Sequence, residues 1–169
     1  IISETQRRGR GRRGRPWISP RGGLWFSLIL RPKTELSKVS LFNLMTCVAV
    51  AKSIEKVTGL DARLKWPNDV LVNGKKVCGI LGEVVKCKEG YGVVVGVGVN
   101  INLDLRVLPE DLRKEASSLH QELGRDVNRE GLLSSILEEM ERMYLPFAKG
   151  VGKPEPILSE WRRLSNTLS

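Results

Sequence analysis

The stretch Tyr91 to Ile101 (YGVVVGVGVNI) is apolar on both of the faces that a β-strand would present. A strand of that kind must be covered on both sides, so it belongs in the middle of a sheet. Partners for it are easy to find. Leu24 to Leu30 (LWFSLIL) is a second buried strand, stopped by Pro32. Ile1 to Glu4 reads as the end of a strand, and Ala62 to Trp66 as another that Pro67 halts. Val70-Leu71-Val72 and Lys76-Val77-Cys78 flank Asn73-Gly74, the strongest short hairpin signal, and the second arm runs on to Val85. Between the strands, Ser37 is placed to cap a helix through about Val57, with Leu41, Leu44, Val48, Ala51 and Ile54 on one face and Gly59 at its end. Beyond Pro109 the pattern turns helical, with helices expected near 117–123, 128–147 and 155–164. Strands followed by helices, without repeats or an interdomain linker, predict one α+β domain: a mixed β-sheet packed with helices in an α/β two-layer arrangement.

Charge is distributed unevenly over this frame. Residues 1–31 hold eight arginines against one acid, Glu4, and so carry +7 of the formal net charge of +9. The basicity belongs to one segment, Gln6 to Gly23, which is rich in glycine and closed by Pro16, Pro20 and Gly22-Gly23. A glycine-rich loop dense in guanidinium groups suits a polyanion, either a nucleotide phosphate or a nucleic-acid backbone. A merely solvated loop is the plainest alternative, but seven arginines in fifteen residues repel one another and favour an ordering anion.

Composition removes several classes of function. Cys47, Cys78 and Cys87 lack metal-ligand spacing, and their odd number does not suit a disulfide framework. All three are expected to be reduced packing residues in a cytoplasmic protein. His120 is the only histidine, which leaves no room for a histidine-based triad or zinc site, and no protein metal site is expected. No apolar run is long enough to span a bilayer, so no membrane partner is expected, and the first residues do not have the order of a signal peptide.

Gly9-Arg10-Gly11-Arg12-Arg13-Gly14 spells GxGxxG, yet Arg15-Pro16-Trp17-Ile18-Ser19-Pro20 follows and cannot open a helix. A Rossmann turn needs that helix for the pyrophosphate, so the dinucleotide reading fails on context. The run also resembles RGG composition, but it is short and leads directly into a core strand. Lys65-Trp66-Pro67-Asn68-Asp69 reads locally as a strand end and a capped turn, and Lys76 on its hairpin as a solvent-facing lysine. Glycines inside strands mark close approach by a ligand or another chain segment. Gly79, Gly82, Gly96 and Gly98, on neighbouring strands, therefore suggest a ligand lying on the sheet, with Asn100 at the same surface.

In order along the chain, three strings resemble one family. Gln6, with Gly9 to Trp17, Ser19-Pro20 and Gly22 to Ser27, resembles the adenylate-binding loop of biotin protein ligases. Lys65 to Asp69, with Lys76 and Gly79-Ile80-Leu81, resembles the family's second block, and Gly96 to Asn102 its third. The likeness runs from residue 1 to about 120 and continues more weakly to Trp161. It implies a fold like that of class II aminoacyl-tRNA synthetases and biotin synthetases. It also implies a two-step reaction: biotin and ATP give biotinyl-5′-AMP and pyrophosphate, and the biotinyl group then passes to a lysine of a biotin carboxyl carrier protein.

The implied biotin site is Gln6, Arg10, Gly11, Arg12, Lys76 and Gly79. The implied ATP site is Arg12, Arg13, Arg15, Trp17, Lys76 and Asn100, with Mg²⁺ accompanying the nucleotide. Arg10 would neutralise the biotin carboxylate, and Lys76 would bridge the biotinyl oxygen and the α-phosphate. Trp17 would stack on adenine, and Asn100 would meet a phosphate or metal. Asp69 would receive the proton of the incoming amine, and the loop would be flexible when empty. Residues 1–169 are expected to be the central part of the catalytic domain. Two pieces would be missing from it: an N-terminal Ser-Thr-Asn-type segment that closes over the biotin ring, and a C-terminal SH3-like domain. Exposed strand edges would then favour a homodimer. Two other readings remain: a non-catalytic RNA- or DNA-binding protein, and the related lipoate ligase chemistry. Between the two ligase chemistries the arginine loop favours biotin, and nucleic acid is an unexpected partner for this domain.

Overall fold

The computed structural model describes residues 1–33, 40–88 and 90–166. Six strands form one sheet: β1 (Ile2–Ser3), β2 (Leu24–Leu30), β3 (Ala62–Lys65), β4 (Asp69–Val72), β5 (Lys75–Cys87) and β6 (Gly90–Val99). Their order is β1-β2-β6-β5-β4-β3, so the doubly apolar strand lies inside the sheet, as its pattern requires. The α+β class expected from the sequence is the one found. The sheet differs in one respect: neighbouring strands are antiparallel throughout, and the parallel pairings among the described residues are isolated bridges, Leu64 to Ser165 and Lys76 to Ala116. Strands β3 to β6 follow one another through short turns, and tight turns allow only antiparallel neighbours. At the β4–β5 turn, Asn73 and Gly74 both have positive φ (+50° and +76°), the pair of angles that makes Asn-Gly the preferred sequence there.

Strand β2 lies near one end of the sheet and β3 at the other, so the connection between them must cross the whole sheet. Helix α1 (Ser40–Thr58) makes that crossing. Its expected start at Ser37 falls outside the described residues, and its end at Gly59 is as expected. The sequence suggested one apolar face; the helix is instead buried nearly all round, from Leu41 and Phe42 to Ser53 and Ile54. The reason is a further layer of helix. Helices α4 (Arg129–Ala148) and α5 (Glu155–Leu164) cover the side of α1 that faces away from the sheet. Two short helices, α2 (Glu110–Glu115) and α3 (Leu119–Leu123), lie between β6 and α4, and α2 had not been distinguished from the sequence. Among the described residues no helix is long and apolar enough to cross a membrane.

The three long helices, α1, α4 and α5, pack on one face, and the other face carries the arginine loop and the site, with α2 at its margin. Cys47 and Cys78 are buried in the core and Cys87 is partly exposed, all as free thiols. Burial pushes the Cys47 and Cys78 thiols well above the ordinary range, which removes the thiolate that reagents attack. Ellman's reagent is therefore expected to titrate one thiol, Cys87, in the folded protein at pH 8, and all three after denaturation. Phe42 has no exposed surface and packs edge-on against Tyr144 and Phe147, with ring centroids 6.0 and 5.8 Å away. Replacing Phe42 by Ala should lower stability by about 3–5 kcal/mol in urea unfolding, as a cavity opens between α1 and α4.

Candidate active site

Directly opposed residues of an antiparallel sheet point to the same face. The registers Ser3–Trp25, Trp25–Gly98, Gly98–Gly79, Gly79–Asp69 and Asp69–Lys65 thus form one continuous row across all six strands. At the centre of the row two glycines leave the backbone bare, and the Trp17 ring lies on them. A Cβ at Gly98 would sit 2.5 Å from Trp17 Nε1, and one at Gly79 would sit 2.9 Å from Trp17 Cζ3. Trp25, buried beneath the loop, meets Trp17 edge-on with centroids 6.4 Å apart. The strand glycines do mark a close approach, and at Gly79 and Gly98 the protein's own indole is what approaches. Gly96 shares that face, but Gly82 does not: its missing Cβ leaves room on the opposite side for Asn43 of α1, 2.5 Å from where the Cβ would stand.

A register shift in β5 brings in Lys76. Cys78 pairs with Val70 but Lys76 pairs with Leu71, so Val77 is passed over as an extra residue. Without this bulge the alternation would turn Lys76 toward the helices; with it, Lys76 shares the face of Asp69 and Gly79. The lysine is not the solvent-facing hairpin residue that its local sequence suggests. Its Nζ lies 2.6 Å from Asp69 Oδ1 and 5.2 Å from the Trp17 ring centroid, a cation held between a carboxylate and a π face.

The arginine loop delivers Trp17 to this place. It is folded back on itself as an irregular ribbon. Gln6 N donates to Ser19 O (3.1 Å), Trp17 N to Gly9 O (2.9 Å) and Gly11 N to Arg15 O (2.7 Å). Ser19 Oγ donates to Gln6 Oε1 at 2.8 Å, tying the ribbon's base. Gly9 is essential to this path, because a Cβ there would stand 2.3 Å from the Trp17 carbonyl oxygen. The tip turns through Arg12–Gly14, where Arg13 takes a φ of +58°.

Two cavities open under the ribbon. One, of about 290 Å³, is lined by Gln6, Arg10, Gly11, Lys76 and Gly79, five of the six residues expected around biotin. Arg12, the sixth, faces the other cavity. That cavity, of about 460 Å³, is lined by Arg12, Arg13, Arg15, Trp17, Lys76 and Asn100, the whole set expected around ATP, together with Asp69. Lys76, Trp17, Gly11 and Asn68 line both. Arg10 stands at the rim of the smaller cavity, 3.8 Å from Glu83. Asn100 is buried, and its Nδ2 donates to Ser117 O at 3.0 Å, so part of its amide is committed to the fold.

Asn68 went unassigned in the sequence beyond a turn cap. It accepts from Ile80 N (2.9 Å) through its carbonyl and donates from Nδ2 to Ile80 O (2.8 Å), clamping the Pro67 turn to β5 between the cavities. Its place inside the Lys65–Asp69 string was the available signal. Ser117 and Glu115 carried none, because their places depend on how α2 and α3 pack.

Residues 1–100 match the Biotin/lipoate A/B protein ligase family, and the chain belongs to that family. It is 40% identical over 146 residues to the bifunctional ligase/repressor BirA of Bacillus subtilis strain 168, covering 85% of this chain and 45% of that protein. To the BirA of Escherichia coli K12 it is 31% identical over 169 residues, covering 99% of this chain and 52% of that one. The chain thus spans about half the length of these curated relatives. Among solved structures, the biotin protein ligase from Aquifex aeolicus in complex with biotin and ATP superposes with a TM-score of 0.83 at 31% identity, covering 98% of this chain and 67% of that one.

The row of bare backbone makes a direct test possible. Gly98→Val should push the Trp17 ring off the sheet, since the added Cβ alone would lie 2.5 Å from Nε1. In ¹H–¹⁵N spectra the Trp17 indole resonance, assigned by its loss in Trp17→Phe, should shift in Gly98→Val while that of Trp161 stays in place.

Proposed function

We propose that this chain carries the biotin-activating centre of a biotin protein ligase. The biotin carboxylate oxygen attacks the α-phosphorus of ATP, the bond to pyrophosphate breaks, and biotinyl-5′-AMP forms. A lysine amine of a biotin carboxyl carrier protein then attacks the acyl carbon and AMP leaves, with the amine's proton passing to Asp69. The observation that carries this reading is the position of Lys76, which lines both cavities while it lies against Asp69. A cation at that junction can reach the carboxylate on one side and the α-phosphate on the other. It offsets the repulsion between two anions that must meet, and charge builds on the same oxygens in both steps.

Arg10 at the smaller cavity is proposed to hold the carboxylate. Arg12, Arg13 and Arg15 at the larger one are proposed to hold the phosphates, where planar guanidinium groups match paired oxygens. Trp17 offers the adenine a stacking surface, and the ribbon above it keeps water from the mixed anhydride. Mg²⁺ fits as a companion of ATP. The larger cavity has oxygen donors in Asp69, Asn100 and Glu115, the hard ligands magnesium takes, and the nucleotide supplies the rest. When bound it neutralises phosphate charge. The reading places the reaction in the cytoplasm and allows a homodimer.

Purified protein given biotin, ATP and Mg²⁺ should exchange labelled pyrophosphate into ATP only when biotin is present. Lys76→Ala should lower that exchange about 100- to 1000-fold, the usual loss for a charge-stabilising donor. Exchange supported by lipoate in place of biotin would move the reading to the lipoate branch of the family. Tight, steeply salt-dependent RNA or DNA binding that follows the loop arginines and ignores Lys76, with no exchange, would overturn it.

A further inference from the structure

Glu122 lies on α3, outside both cavities, and makes two contacts that converge on Lys76. Its Oε2 accepts from Asn73 Nδ2 at 2.7 Å, and its Oε1 accepts from Ser117 Oγ. Asn73 is the first residue of the tight turn that starts β5, three residues before Lys76. Ser117 holds the other side of the same lysine: its backbone N donates to Lys76 O at 2.9 Å, and Ala116 bridges to Lys76. The Ser117 carbonyl also accepts from the Asn100 side chain at 3.0 Å. Helix α3 is itself fastened to the end of β6, with Leu119 N donating to Asn100 O and His120 N to Ile101 O, each at 2.9 Å.

From this we propose that Glu122 is the positioning residue of the site. One carboxylate ties the hairpin turn and the α2–α3 connection to a single point, and so fixes where the bulged segment around Lys76 stands relative to the two cavities. The chemistry suits a carboxylate. Both contacts come from donors, and a carboxylate is the side chain that accepts on both oxygens. The bulge makes such a buttress necessary. A β5 that slid by one residue would regain regular pairing and turn Lys76 to the helical face, and the two ties resist that slide. The inference rests on the reading of Lys76 as the group that acts between carboxylate and α-phosphate.

The test is a double-mutant cycle on biotin-dependent pyrophosphate exchange, using the whole protein that carries this chain. Glu122→Ala should lower kcat about 10- to 100-fold, the cost of moving a catalytic group by about an ångström, with the KM for biotin changed less than about two-fold. In a Lys76→Ala background the same change should cost less than about two-fold, because no positioned lysine is left to lose. Glu122→Gln should restore most of the rate, since the Asn73 amide can turn to give its oxygen to the new amide. Asn73→Gly keeps the turn, removes one donor and should lower kcat in the same direction, which provides an answer even if Glu122→Ala folds poorly. Wild-type kcat in Glu122→Ala, or a loss undiminished by Lys76→Ala, would overturn the role. A wild-type protein without biotin-dependent exchange would overturn the underlying ligase reading instead.

Discussion

The site is organised around a gap in the sheet. Where Gly98 of β6 faces Gly79 of β5, no side chain rises from either strand, and the Trp17 indole settles onto the exposed peptide groups. This contact anchors the arginine ribbon, which otherwise makes few buried contacts. It also sets the wall between the two cavities and gives Lys76 a π face to lie against. Any Cβ at Gly98 would undo the three together, because the space is filled at van der Waals distance and an indole is too rigid to yield.

Around that contact the charges are arranged in layers. Many cations belong to the ribbon and are exposed, where water and salt screen them and they cost the fold little. The more enclosed cation, Lys76, is matched at once by Asp69 on the same row of the sheet. A polyanion entering the larger cavity would find arginines already gathered by the backbone, whose mutual repulsion it relieves. The protein therefore gathers its densest positive charge in the ribbon, outside the strands of the sheet. Such an arrangement suits the proposed reaction, in which two anions are brought together.

Several readings from the sequence depended on local rules and failed where tertiary packing overrode those rules. The alternation in α1 indicated one buried face, but α4 and α5 pack on the other side and bury Cys47, Ala49 and Val50 as well. Lys76 looked like an ordinary hairpin lysine because side-chain direction in a strand is normally a matter of parity, and the passed-over Val77 inverts the parity. Gly82 looked like Gly79 and Gly96, yet it serves the opposite face, where it admits Asn43. Glu122 had no visible role, since its partners, Asn73 and Ser117, are 49 and 5 residues away and meet only when α3 docks on the hairpin.

The sequence alone determined the elements and the chemistry available to them. The doubly apolar run demanded a central strand, Asn73-Gly74 demanded a tight turn, and the arginines were concentrated in one glycine-rich segment. These follow from periodicity, backbone sterics and charge, all of which are local. Tertiary structure decided which face each group serves and what it touches: the row from Ser3 to Lys65, the indole on the paired glycines, the bulge that turns Lys76 toward Asp69, and the carboxylate of Glu122 behind it. Such relations arise from strand register and helix docking, which bring together residues far apart in the chain, and no local rule encodes them.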